Sequence, residues 1–475
     1  MQSSVFARLF TFLKSCFSWD RAFARRVVVI TLPIILQDLI ASSFHIVDGL
    51  MVSGLGDTSY AAVVQAGRYS FLFMLFCFGV SSGGAIFMSQ YWGAKDIRGM
   101  RQSLGVSIVW IGAVMAVFIT GAMAFPDLII RLFLPQGESA QIAKVYLRWV
   151  APAYLFQGLN QVYAACLKSA EKTHIPLISG TVGIALNTLL NYCLIYGHFG
   201  FPAMGVRGAA LSTCIAAGAT LLVTLSMAYG LHLPAGAKIK DMLGADRAFR
   251  RRFAKTTTPV VFNEGLWALG MTMYGVYYGH MGDTAVAAMG VVSTVDNLLW
   301  IFVFGTMHAT AIICGKAIGA GKPNEAYLYA KRMLSAVMLT GVFLGVTLSL
   351  IRLPMLSLFS GLSQPVIQTA ATVLLIESFT MWFRAFNAVN VVGVLRSGGD
   401  TVFSLKLDVG SMWLIGVPLC AAATFLFKLP VELVYVCTMA EEVVKVLIGI
   451  PHFTSRKWIR NLTTNAEGEP AFENH

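Results

Sequence analysis

The sequence predicts an all-α integral membrane protein, with twelve transmembrane helices in two six-helix bundles related by a pseudo-twofold axis along the membrane normal. Three observations carry this expectation. The 475 residues are 57% hydrophobic and only 12% charged, with a mean hydropathy of +0.70, far too little charge for a soluble chain of this length. Apolar runs recur that are long enough to cross about 30 Å of hydrocarbon as a helix. The second half of the chain also repeats the first.

Taken in order, the predicted helices cover 27–52, 58–88, 103–125, 144–168, 175–197, 206–232, 256–280, 284–315, 332–356, 366–395, 402–427 and 431–452. Before them, residues 1–26 mix Phe and Leu with Arg and Lys, the pattern of a retained amphipathic segment lying at the interface. Residues 27–232 form an N-lobe, 233–255 a basic cytoplasmic linker, 256–455 a C-lobe and 456–475 a cytoplasmic tail whose polar end reads as disordered. Basic residues set the orientation. With the N-terminus inside, the inner segments hold Arg21, Arg25, Arg26, Lys95, Arg98, Arg101 and the run from Lys238 to Lys255. The outer ones hold only Arg131, Lys144, Arg148, Arg207, Arg352 and Lys428. Positive loops stay in the cytoplasm, so both termini are expected there, in a multi-pass protein of the cell membrane. The net charge of +12 is thus a topology signal, and no nucleic-acid partner is expected. The eight cysteines make no CxxC pair and read as small apolar packing residues.

The repeat keeps register without a gap over residues 33–94. Adding 226 (259 minus 33) takes Pro33 to Pro259, Asp38 to Glu264, GLGDTSYAA at 54–62 to HMGDTAVAA at 280–288, and Gly79 to Gly305. Further on the offset is 228, where LKSAEKT at 167–173 meets LRSGGDT at 395–401. Six helices is an even number, so both copies enter the membrane the same way. That gives a parallel repeat, with a binding site expected at the repeat interface.

The first helix poses a chemical question. Asp38, His45 and Asp48 fall on one stripe of an otherwise apolar segment, at i,i+7 and i,i+3 spacing. An ionised group at mid-membrane costs about 2.5–3.5 kcal/mol on insertion scales, so such a stripe faces water, a partner or a proton. A carboxylate in a cavity can exchange a proton or a sodium ion for a cationic solute, because burial and neighbouring charge act on it in opposite senses. Asp48 is the leading candidate, followed by Asp38 and its repeat copy Glu264. His45 reads better as a packing residue.

The P-x14-D pattern from Pro33 to Asp48, the GLGDTSYAA turn, the block NTLLNYCLIYGHFGFPAMGVRGAALST at 187–213 and GVLRSGGDT at 393–401 together resemble the multidrug and toxic compound extrusion (MATE) family. The resemblance covers nearly the whole chain. It implies a twelve-helix antiporter that exports organic cations against a proton or sodium gradient, with no resident cofactor. It matches Asp48 to the family's coupling acid, and Asn187 and Thr213 to site residues of the amino-terminal lobe. Asn191 stands where some members carry Asp. The set Asp48, Asn187, Asn191 and Thr213 is therefore the place for a coupling proton or sodium ion, with the missing acid weighing against tight sodium binding. In the second half, some members place an acid where this chain has Trp267, and another in helix ten, where it has Arg384, Asn387 and Asn390. That second site is not reproduced.

Other intramembrane charges are Asp296, Glu377, Arg384 and Asp408. Asp296 and Glu377 are substrate-cavity candidates, and Glu377 with Arg384 is equally a structural i,i+7 pair. Glu441 and Lys445, at i,i+4, read as a structural ion pair, with Glu442 beside them. Phe262, Trp267, Tyr274 and Trp300 are the aromatic candidates for contact with a flat cation. The small-molecule partner is an organic cation, the surroundings are lipid bilayer, and a monomer is expected.

Two alternatives belong to other classes. A flippase for lipid-linked saccharides needs cationic side chains in its cavity, and Arg68 and Arg384 are the only arginines deep within the predicted spans. An enzyme would need a catalytic motif in the right setting. GLGD at 54–57 lies in a predicted outer turn, and GVSSG at 79–83 lies inside a predicted helix, where small residues serve packing. HExxH and Walker A motifs are absent, so the chain is not expected to be an enzyme.

Overall fold

A computed structural model describes residues 19–132, 137–359 and 361–464, with the side chains of Phe44 and His45 left out. His45, the first 18 residues and the polar end from 465 therefore lie outside what is described. Helix is the dominant structure throughout. In order the helices are α1 (Arg21–Ser53), α2 (Asp57–Gly93), α3 (Ile97–Ala124), α4 (Pro126–Arg131), α5 (Glu138–Ser169), α6 (His174–Tyr196) and α7 (Val206–Gly230). They continue as α8 (Ile239–Leu243), α9 (Arg247–His280), α10 (Asp283–Gly319), α11 (Pro323–Ser357), α12 (Gln364–Arg396), α13 (Thr401–Leu426) and α14 (Val431–Thr454). Nine of them, among the described residues, are long and apolar enough to cross a membrane. The long helices α5, α9 and α14 fall outside that set; α14 alone carries Glu432, Glu441, Glu442 and Lys445.

Local chemistry explains where helices begin. Asp20, Asp96 and Asp246 each accept a hydrogen bond from the backbone N–H three residues on, at 2.6, 2.8 and 2.6 Å, which satisfies a donor that the first turn leaves orphaned. Gly56 and Gly282 precede α2 and α10 with φ of +93° and +100°, a region open to glycine at no steric cost. They lie 226 apart, so the repeated turn has a backbone reason.

The chain divides into two compact units. One is Leu32–Val261; the other combines Phe262–His475 with Met1–Thr31. Both divisions fall inside a helix, close to Pro33 in α1 and to Pro259 in α9. In the first unit α5 packs on α2 and α7, and α6 packs on α7. In the second, α11 packs on α12, and α10 on both.

Three sequence boundaries need correction. The 1–26 segment and the first span are not separate from Arg21 onward, because α1 already runs through Arg21–Arg26. Its start belongs to the second unit, where Phe23 stacks on Tyr329 at 5.0 Å and Asp20 meets Arg332 at 3.5 Å. The 233–255 linker is largely ordered on the first unit. Arg101 bonds Asp241 at 2.9 Å, Tyr229 donates to the Ala237 carbonyl, and residues 247–255 are the first turns of α9. Phe249 and Phe253 of that stretch are fully buried against Phe87; its arginines concealed an amphipathic helix. The tail also starts packed. Trp458 is fully buried, and Arg460 bonds Asp400 at 2.8 Å.

Candidate functional site

Four residues meet inside the first unit, contributed by α1, α6 and α7. The Asn191 amide donates to Asp48 Oδ1 at 2.6 Å and to Asn187 Oδ1 at 2.8 Å. Asn187 in turn donates to Thr213 Oγ1 at 3.4 Å, and the Thr213 hydroxyl donates to the Ala209 carbonyl at 3.0 Å. The two asparagines stand one turn apart on the buried face of α6; both are almost fully buried, while Asp48 and Thr213 are half-buried. The result is a hydrogen-bonded chain ending on a carboxylate.

Asn191 Oδ1 is a buried acceptor without a hydrogen-bond partner. With the Asp48 carboxylate and the Thr213 oxygen it offers oxygen ligands to a small cation, but with a single formal charge. A proton on Asp48 needs no such shell. No cluster of three His, Cys, Asp or Glu suited to a metal occurs among the described residues. A cavity of about 210 Å³ opens beside this chain. Its lining includes Asn187 and Thr213 together with Gln37, Asn160, Thr181 and Thr220, and it contains neither lysine nor arginine. Asp38 lies next to Gln37, half-buried, and feels the charge of Lys168 on α5.

The second unit treats its charges differently. Glu264 is paired with Arg396 at 2.7 Å, both nearly buried; the loop position expected for Arg396 is in fact the last turn of α12. Arg384 joins Glu377 at 2.6 Å and Asp296 at 3.1 Å, and its guanidinium lies over the Trp300 ring at 5.3 Å. The i,i+7 pair is thus present and gains a third member from α10. Asp296 keeps 24% of its side chain exposed, while Glu377 is wholly buried. Trp267 is partly buried against the apolar core. Tyr274 is buried and donates to Glu441 Oε2 at 2.9 Å, and Phe262 is 60% exposed.

Sequence reasoning paired Glu441 with Lys445 and missed the rest of that group. Lys445 also meets Asp408 and Glu442. The Glu264–Arg396 pair, by contrast, had a signal in the repeat, since Asp38 maps to Glu264 and Lys168 to Arg396.

Comparison with known proteins places the chain in a family. The family model MatE matches residues 33–193 and 259–422, two segments whose starts are 226 residues apart. The chain is 25% identical to the "Uncharacterized transporter YisQ" of Bacillus subtilis over 91% of its length and 94% of that protein. It is 23% identical to the "Probable multidrug resistance protein NorM" of Thermotoga maritima, covering 93% and 95%. Its fold is similar to a solved multidrug resistance MATE family transporter in an outward-facing conformation, with a TM-score of 0.82, 18% identity, and 91% and 96% of the two chains covered. A transporter of the MOP superfamily from Pyrococcus furiosus gives a TM-score of 0.80 at 18% identity, with the same coverage. With more than half of its length matched and its apolar helices fit to cross a bilayer many times, the chain belongs to the MatE family and is a MATE transporter, a multi-pass membrane protein that carries small molecules.

Proposed function

We propose that this protein is a cation-coupled antiporter that exports organic cations, drugs among them, across the cell membrane by alternating access. Its twelve long helices are read as twelve crossings in two six-helix bundles about a pseudo-twofold axis, with both termini cytoplasmic and the monomer as the working unit. The observation that carries the reading is the Asp48–Asn191–Asn187–Thr213 chain, two of whose members, Asn187 and Thr213, line a cavity free of charged side chains. A half-buried carboxylate that accepts from a neutral amide at 2.6 Å is a group that can hold a proton. It gains by taking up a proton, or less favourably sodium, and it releases that cation when a positively charged solute enters the same field. Two positive occupants compete for one negative charge, and that competition couples their movements. The relatives named as multidrug resistance proteins support drugs as the cargo, and catalysis has no part in this reading.

The test is transport in liposomes. Purified protein is given proton and sodium gradients separately, and uptake of a fluorescent organic cation is followed. Asp48→Asn keeps the shape and hydrogen-bond capacity but cannot change charge, so gradient-driven transport falls by at least about tenfold. Undiminished transport by Asp48→Asn would remove Asp48 from the mechanism. The flippase reading is less well supported, since the cavity lining offers no cationic group for a pyrophosphate. Uptake of a lipid-linked saccharide in place of the dye would reverse that ranking.

A further inference from the structure

The linker between the halves presents a surface of its own. Residues 233–255 carry seven basic side chains and two acids. The short helix α8 within them is pinned by one face. Met242 is buried and its carbonyl abuts Gly105 of α3, and Asp241 bonds Arg101 of the same helix at 2.9 Å. Just before α8, the Tyr229 hydroxyl at the end of α7 donates to the Ala237 carbonyl at 2.8 Å. A Cβ added to Gly236 would come within 2.6 Å of the Ala228 carbonyl oxygen. Helices α3 and α7 are both long and apolar enough to cross a membrane. The linker is therefore held against the start of one span and the end of another, at the level where both leave the hydrocarbon.

The other face of α8 is apolar and uncovered. Ile239 and Leu243, at i,i+4, share one side of the helix and are 72% and 69% exposed. Such exposure is ordinary on the lipid face of a span, but α8 has five residues and lies in a polar stretch. Two bulky aliphatic groups on a pinned backbone there cannot turn inward, so they mark a surface that meets something apolar. Basic side chains flank them along the chain. Lys238, Lys240, Arg247 and Arg251 are exposed, and none of them pairs with an acid among the described residues. The two local acids are already engaged, Asp241 by Arg101 and Asp246 by the first turn of α9. The stretch after α14 is the contrast: among the described residues from 455 to 464, no large apolar side chain is exposed. Apolar groups with unpaired cations beside them, at a membrane boundary, suit an element that lies in the interface and takes acidic lipid headgroups.

We propose that α8 is an interfacial anchor, which seats Ile239 and Leu243 among the acyl chains of the cytoplasmic leaflet and binds acidic phospholipid headgroups through Lys238, Lys240, Arg247 and Arg251. The partner is the bilayer itself. A free phosphate would meet the cations and leave the apolar face uncovered. The two parts act together, because two aliphatic side chains insert weakly alone and the attraction of each cation falls off within a Debye length. The inference rests on the proposed topology, with the linker cytoplasmic, and holds whatever ion or solute is carried.

The experiment is hydrogen–deuterium exchange of the full-length protein in nanodiscs of phosphatidylcholine, alone or mixed with phosphatidylglycerol. The acidic lipid is expected to slow exchange of the 238–244 amides by at least about fivefold, and high salt to reverse most of that slowing. Ile239→Ser with Leu243→Ser, and separately Lys238→Gln with Lys240→Gln, should each cut the slowing to less than about twofold. Exchange in α5, in the same unit, reports whether each variant is folded. Equal exchange of the wild-type linker in the two nanodiscs overturns the proposal. So does full slowing in the serine variant, which would leave the apolar face idle. The same slowing on adding soluble glycerophosphate to phosphatidylcholine nanodiscs also overturns it, since the site would then be one for a free anion. Should a variant not fold, the wild type in high salt decides, and slowing that survives undiminished is equally fatal. Because no transport is measured, a failure here is distinct from a failure of Asp48.

Discussion

Two equivalent acid–base pairs show how far the halves have diverged. In the second unit, Glu264 of α9 and Arg396 at the end of α12 meet at 2.7 Å and are almost wholly buried. In the first, Asp38 of α1 and Lys168 of α5 occupy the same repeat positions. They act on each other electrostatically, yet no ion pair joins them among the described residues, and both are half-buried. The same register therefore holds a closed, dry pair in one half and an open pair in the other. Burial decides the difference. A guanidinium brings a planar fork of donors and tolerates desolvation better than an ammonium, so Arg suits the closed pair and Lys the open one.

Breaking these pairs should have very unequal effects. Arg396→Ala leaves Glu264 buried and unpaired, at a cost of about 3–5 kcal/mol. Lys168→Ala removes a contact that is not closed, and should cost less than about 1 kcal/mol. Chemical or thermal denaturation of the two variants side by side measures this. Equal losses would mean that the pairs are energetically alike and that the comparison has no content.

The acid groups of the two units differ in the same sense, and a single substitution should sharpen the contrast. In the first unit Asp48 accepts from the Asn191 amide; in the second, Lys445 sits among three carboxylates. Asn191→Asp gives the first unit a second carboxylate beside Asp48. A site of that charge should take sodium, raising the melting temperature by about 2–4 °C in sodium over choline, through ligand binding to the folded state alone. The same salt comparison on wild-type protein should give a smaller shift. An equal shift in both would show that Asn191 does not limit sodium binding.

Much of the fold was legible because lipid imposes a strong code. Long apolar runs, the Gly56 and Gly282 turns and the constant offset located the helix ends to within about six residues, apart from the starts of α9 and α11, each nine residues earlier than expected. The start of α9 escaped because Arg247, Arg250, Arg251 and Arg252 read as a loop, while Phe249 and Phe253, which bury it, are only two residues in that stretch. Of the site, the Asp48–Asn191 contact follows from family pattern, since each residue sits on a face that its helix buries. The Lys445 cage was only half legible. Its members come from positions 408, 441, 442 and 445, so i,i+4 spacing finds one contact, and helix packing alone supplies the bond to Asp408.

The smallest expected effects lie in the backbone of repeated turns. Lys95 and Glu171 have φ of +60° and +61°, and the matching positions in the other half, Gly321 and Gly399, have +71° and +81°. The turn geometry is shared, but only the second half uses the residue that adopts it freely. Of the three exchanges, Gly399→Glu should cost most, because its new Cβ would lie 3.2 Å from Leu462 in addition to the unfavourable φ. Gly321→Lys meets nothing within 4 Å, so it bears the left-handed penalty alone, about 1 kcal/mol. Lys95→Gly relieves a similar strain, but it also frees the unfolded chain, and the two terms offset to within about 0.5 kcal/mol. Melting temperatures of the three variants should fall in that order. If Gly399→Glu proved as mild as Gly321→Lys, Leu462 would not be seated on that turn, and the packed start of the tail would be in error.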